Sequence, residues 1–209
     1  MKRPWWKDGL LMTVSAFCLV CVGVIAFGLL ALAHTPAPQR TDRALMERED
    51  SAILSAVALL RQRKLLPEAA LAMQIERRGE WRAATAADPY IKQAEQSGDT
   101  PFAYTLANGH TPTVIVLAPR FFTDTTPTAR AALMLHEMAH YQAYVKTGRS
   151  DEYDGYKAEY DTHNQLGLGE SDGLTYFAML DGVVEYVVPR DPSYKNRPDV
   201  KGYMESGND

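Results

Sequence analysis

Ala131-Ala132-Leu133-Met134-Leu135-His136-Glu137-Met138-Ala139-His140-Tyr141-Gln142-Ala143-Tyr144-Val145 is a helical run with a His-Glu-x-x-His pattern at its centre. Thr126-Pro127 ahead of it supplies an N-cap and a first-turn proline, and Gly148 behind it is placed to stop the helix. Side chains four residues apart stand on one helical face, one turn above the other, so His136 and His140 can reach a single metal ion. Glu137 points to the edge of that face, where a carboxylate can take a proton from a metal-bound water without being a ligand itself. The competing reading is two histidines satisfied within an apolar core. It is the weaker one, because the caps and the three-residue pattern coincide on one helix.

This run resembles the zincin metallopeptidases, and the resemblance extends from Thr113 to roughly Leu168. It implies a strand along the substrate cleft ahead of the metal helix, and Thr113-Val114-Ile115-Val116-Leu117 is a β-branched run followed by the short connection Ala118-Pro119-Arg120-Phe121-Phe122. The implied fold class is α+β, mostly α, a zincin-like domain with a short β-strand element before the His-Glu-x-x-His helix. The implied cofactor is one catalytic Zn²⁺, and the strand Thr113 to Leu117 is expected to hold a substrate backbone in extended form. Gln142 departs from the family pattern, which has an apolar residue there. The metzincin branch is excluded, since Ala143 and Lys146 stand where it has glycine and histidine.

Catalytic zinc takes three protein ligands and keeps one open position. The third candidate lies beyond Gly148, among Asp151, Glu152, Asp154, Glu159, Asp161 and His163. Taken singly, each reads as part of a solvated acidic face. If residues 151–166 form a helix packed back on the first, Asp151, Gly155, Ala158, Glu159, Thr162 and Leu166 share a face at 100° per residue. Asp154 and Asp161 fall outside it, and Glu152 and His163 lie at its border. Equal rise along two antiparallel helices places the partner of the histidines about ten residues past the turn. Glu159 meets both conditions, and with it the site resembles the gluzincins. Three alternatives stay open. Gly148-Arg149-Ser150-Asp151-Glu152-Tyr153-Asp154-Gly155 loosely resembles the aspzincin stretch that carries an aspartate ligand, Asp154-Gly155-Tyr156 resembles the Glu-Ala-Tyr stretch of some compact His-Glu-x-x-His proteins, and Glu152 sits beside both.

Residues 10–33 carry no ionisable side chain except Cys18 and Cys21, and a helix of that length spans the roughly 30 Å hydrocarbon core of a bilayer. Lys2, Arg3 and Lys7 precede it, which leaves residues 1–9 in the cytoplasm and sends the remainder to the extracytoplasmic side, periplasmic in a bacterial envelope. The alternative is a signal peptide cleaved after Ala33, within Ala31-Leu32-Ala33, releasing a secreted chain; the apolar run is longer than a usual signal core of about 7–15 residues. The chain has no cysteine outside this run, so the exported part has no disulfide framework. Residues 34–43 read as a linker, 44–190 as the metallopeptidase domain and 191–209 as a polar, flexible tail. Within the domain the pattern predicts helices over 44–66, 68–78, 90–96 and 173–188.

The net charge of −4 gives no basic footprint for nucleic acid, and no glycine-rich phosphate loop is present. The expectation is therefore a membrane-anchored zinc metalloendopeptidase: His136, His140 and Glu159 hold the metal, Glu137 is the general base, and a peptide or protein is the substrate. Tyr156 and His163 are candidate donors to the tetrahedral oxyanion. The alternatives are an inactive zincin-fold binding or scaffold protein in the envelope, favoured if His163 closes the site as a fourth ligand, and a zinc hydrolase of a non-peptide bond.

Overall fold

The computed structural model describes residues 43–85, 88–96 and 101–207. The anchor expected over 10–33 and its flanking segments lie outside the described residues. Among the described residues, no helix is long and apolar enough to cross a membrane. The chain from Arg43 onward folds as one unit, α+β and mostly helical.

Helix α1 (Arg43–Gln62) buries Ile53, Val57 and Leu60 at helical spacing, and α2 (Leu66–Arg77) starts with Pro67 in its first turn. Next come strand β1 (Trp81–Ala83) and helix α3 (Pro89–Gln96). Trp81 is fully buried and its indole N–H donates to the Ala72 carbonyl at 3.1 Å, while the Ala83 N–H donates to the buried carboxylate of Glu49 at 2.7 Å. Strands β2 (Ala103–Asn108) and β3 (Thr111–Leu117) form a hairpin across Gly109-His110, with Gly109 at a φ of 57°. A two-residue loop entered through Asn-Gly matches the twist of antiparallel strands.

The sheet order is β1-β3-β2, with β1 parallel and β2 antiparallel to β3. The strand read from Val114-Ile115-Val116-Leu117 is therefore the central one. Over residues 115–117 both of its edges are paired with neighbouring strands, which leaves no open edge there for a substrate backbone; its β-branched run marks burial on both faces. Ile115, Val116 and Leu117 are all fully buried. Among the described residues β2 stands at the edge of the sheet.

After the short helix α4 (Pro119–Thr123), helix α5 (Pro127–Thr147) carries the His-Glu-x-x-His pattern. Its ends are those expected: Thr126 accepts the Ala129 N–H at 3.0 Å, and Gly148 closes the helix in the left-handed region at φ 74°. Helix α6 (Glu152–Leu166) follows, then α7 (Leu174–Gly182), which passes into a π turn over Val183–Val187. The expected tail of 191–209 is corrected by the structure. Pro192–Asn196 form a 3₁₀ turn and Pro198–Glu205 form helix α8, with Tyr194 and Val200 buried. Two well-placed apolar side chains dock a segment whose composition alone reads as loose.

Candidate metal centre

Helices α5 and α6 pack against each other, with Gly155 of α6 set against the His136 ring. A Cβ on that residue would lie 2.4 Å from His136 Nε2 and 2.6 Å from two ring carbons. The missing side chain is what lets the imidazole lie flat against α6. Residues 152, 155 and 159 share one helical face, so the ring sits over Gly155 with a glutamate at each end. Glu152 Oε2 is 3.4 Å from Nε2, and Glu159 Oε2 is 3.2 Å from Nδ1.

His140, one turn along α5, turns its Nε2 toward the same space, 3.1 Å from His136 Nε2 and 3.9 Å from Glu152 Oε2. His136, His140 and Glu152 thus form a group whose ligand atoms lie within 4.8 Å of one another and which could hold a metal ion. Tetrahedral ligands at about 2.0–2.2 Å from zinc lie roughly 3.3–3.6 Å apart, and the observed separations bracket that range. Two imidazoles and one carboxylate are also a donor set that suits zinc.

Glu159, expected as third ligand, faces the other nitrogen of His136. It is buried, and among the described residues no hydrogen-bond partner reaches its Oε1. Equal rise along the two helices points deeper into α6 than the carboxylate that stands beside both Nε2 atoms, which comes from the helix's first residue. Asp151 instead caps α6, accepting the Tyr153 N–H at 3.1 Å, and pairs with Arg190 at 2.8 Å. Asp154 belongs to the same cap and accepts a hydrogen bond from Ser150 at 3.0 Å. Asp161 accepts from Tyr194 at 2.5 Å. His163 lies elsewhere, with Nδ1 at 2.5 Å from the Tyr160 carbonyl and Nε2 at 3.0 Å from Asp199.

Glu137 is buried, and its Oε2 accepts the Thr105 hydroxyl of β2 at 2.7 Å. Burial pushes its carboxyl up to about 7, against the lowering effect of His136 and of the Thr105 bond. Burial works to lower His136, but Glu152 and Glu159 on its two nitrogens overcome this and hold it at about 10. His140 is pushed well below its usual range by burial and by the charge on His136. The Glu152 carboxyl is held low by its contact with His136.

These groups open into a cavity of about 710 Å³. Ala103, Tyr104 and Thr105 of β2 line one side of it, and Leu174, Ala178 and Met179 of α7 line another. Tyr156 packs edge-on against His136, with ring centroids 4.6 Å apart, and stacks on Tyr186 at 5.7 Å. A Cβ at Gly182 would strike the Tyr156 ring at 2.3 Å, so this wall too depends on a glycine.

The sequence reading did not find Thr105, Ser150 or Tyr186. Thr105 and Tyr186 join the site from β2 and from a π turn that no local pattern announces, although Asn108-Gly109 was available as a hairpin signal. No protein-family model, no curated protein and no solved structure matches this chain.

Proposed function

We propose that this chain is a zinc-dependent metallopeptidase with His136, His140 and Glu152 as metal ligands and Glu137 as general base. The observation that carries the reading is the convergence of the His136 and His140 Nε2 atoms and Glu152 Oε2 beside a buried glutamate that belongs to no ligand group. Bound there, zinc would supply Lewis-acid polarisation and acidify a water molecule.

The protein's own groups do the rest. Glu137 is kept off the metal group by the Thr105 hydroxyl and faces the cavity, where it accepts a proton as a carbonyl is attacked and returns one to the leaving amine. Strand β2, at the edge of the sheet among the described residues, borders the cavity, and an extended peptide can add to a sheet edge through main-chain hydrogen bonds. That role passes to β2 from the strand expected to play it, and it favours a peptide over a small substrate. Tyr156, beside His136 in the cavity wall, is placed to donate to a developing oxyanion; His163 is not, because both its nitrogens are engaged outside the cavity.

In this reading the apolar segment 10–33 anchors the enzyme in a bilayer with the domain on the extracytoplasmic side. A reporter fused after Asp209 should then be active only outside the cytoplasm.

The deciding experiment measures zinc content and peptide hydrolysis together. The chain should bind one Zn²⁺, and His136→Ala or His140→Ala should abolish binding. Glu137→Gln should keep the metal and lose turnover by about 10²–10⁴-fold. Full zinc occupancy in His140→Ala rejects the site; undiminished turnover in Glu137→Gln rejects the chemistry.

A further inference from the structure

The histidines of the metal group are backed by different devices. Behind His136 stands the carboxylate of Glu159. Behind His140 stands a hydroxyl: its Nδ1 is 2.8 Å from Ser150 Oγ, and Ser150 Oγ is 3.0 Å from Asp154 Oδ2. His140 reaches this pair from within α5, Ser150 lies in the connection to α6, and Asp154 is in the first turn of α6, held by the cap of that helix.

Counting hydrogens along this chain leaves one arrangement. A carboxylate offers only acceptors, so the single hydroxyl hydrogen of Ser150 goes to Asp154. Ser150 Oγ can then only accept from His140, so the ring hydrogen must sit on Nδ1. A neutral imidazole with its hydrogen on Nδ1 has a bare lone pair on Nε2, the atom that faces His136 and Glu152.

We propose that Ser150 and Asp154 form a hydrogen-ordering relay that holds His140 in the Nδ1–H tautomer and so presents its Nε2 lone pair for metal binding. Ser150 and Asp154 are positioning residues in this scheme: Ser150 touches His140 only at Nδ1, and neither belongs to the group of ligand atoms. The ordering exists in the metal-free chain. Its use rests on the metal reading above. Asp154, weighed from the sequence as a ligand, acts one hydrogen bond behind Ser150.

The relay is tested on the full-length chain by ¹⁵N resonances of the His140 ring without metal and by titration with Zn²⁺ alone. The wild type should show the Nδ1–H tautomer. Ser150→Ala should shift His140 toward the Nε2–H form and weaken Zn²⁺ binding by about 10–100-fold. Ser150→Thr, which keeps a hydroxyl, should restore both. Asp154→Asn should give mixed tautomers, because an amide donates as well as accepts.

An Nε2–H tautomer in the wild type, or Ser150→Ala with unchanged tautomer and affinity, overturns the relay. Equal Zn²⁺ binding by wild type and His136→Ala would instead defeat the metal reading. The tautomer in the metal-free chain would still decide the relay.

Discussion

His136 and Gly155 are in contact at a distance no other residue type at position 155 would permit: a Cβ there would stand 2.4 Å from Nε2. The metal group depends on that contact, because the ring reaches between Glu152 and Glu159 only by lying on bare backbone. Gly155→Ala should therefore displace the imidazole from the group. Overpacking at such a site costs about 1–3 kcal/mol. The expected result is a lower unfolding midpoint in urea together with loss of zinc binding. A variant with wild-type zinc affinity would show that the ring has room the structure does not provide.

The two glutamates flanking His136 should separate in a titration. Glu159→Gln leaves an acceptor behind Nδ1 but removes the charge, and outer-shell losses of this kind run to about 10–100-fold in metal affinity. Glu152→Gln removes a carboxylate from the Nε2 side and should weaken zinc by more than that. Competition against a chelator of known affinity ranks the two. The reverse order would restore Glu159 as the ligand.

Alkaline pH should weaken the fold through Tyr104. Burial and the neighbouring Asp88 carboxylate, which accepts its hydroxyl at 3.1 Å, push this phenol up to about 12. An unfolded tyrosine titrates near pH 10, so the folded state holds the proton more tightly. The contribution is fully present below pH 10 and is lost as pH rises toward 12. Tyr104→Phe should show a shallower fall of melting temperature across that window. An identical fall in the variant would remove Tyr104 from the account.

The C-terminal helix α8 is tied to α6 through the carboxylate of Asp199. Asp199 accepts the Tyr160 hydroxyl at 2.5 Å and lies 3.0 Å from Nε2 of the buried His163. Asp199→Ala leaves both groups of α6 without this partner, at a cost of about 1–3 kcal/mol. Amide exchange should then quicken over Pro198–Glu205 while zinc binding, on the opposite end of α6, persists. Unchanged exchange in α8 would mean that Val200, Tyr194 and the Tyr203 hydroxyl on Asp181 hold it without Asp199.

Helix α5, with its cap at Thr126, its stop at Gly148 and its pair of stacked histidines, was legible residue by residue because all of that information is local. A helix repeats every 3.6 residues, so His136 and His140 had to share a face wherever the helix went. The face of α6 was legible for the same reason: Gly155, Glu159 and Leu166 do turn inward. What periodicity could not supply was the offset between the two helices. That depends on how the 148–151 connection folds and how closely Gly155 lets the backbones approach, and it decided that Glu152 faces the Nε2 atoms while Glu159 stands behind His136. Strand β3 was recognised from its β-branched run, but its place in the centre of the sheet follows from pairing with β1 and β2, segments remote or weakly patterned in sequence. The tail was misread for a related reason, since Tyr194 and Val200 are buried only by the surfaces that other elements bring to them. Local chemistry determined that His136 and His140 share one helical face; long-range packing determined which nitrogen each carboxylate meets.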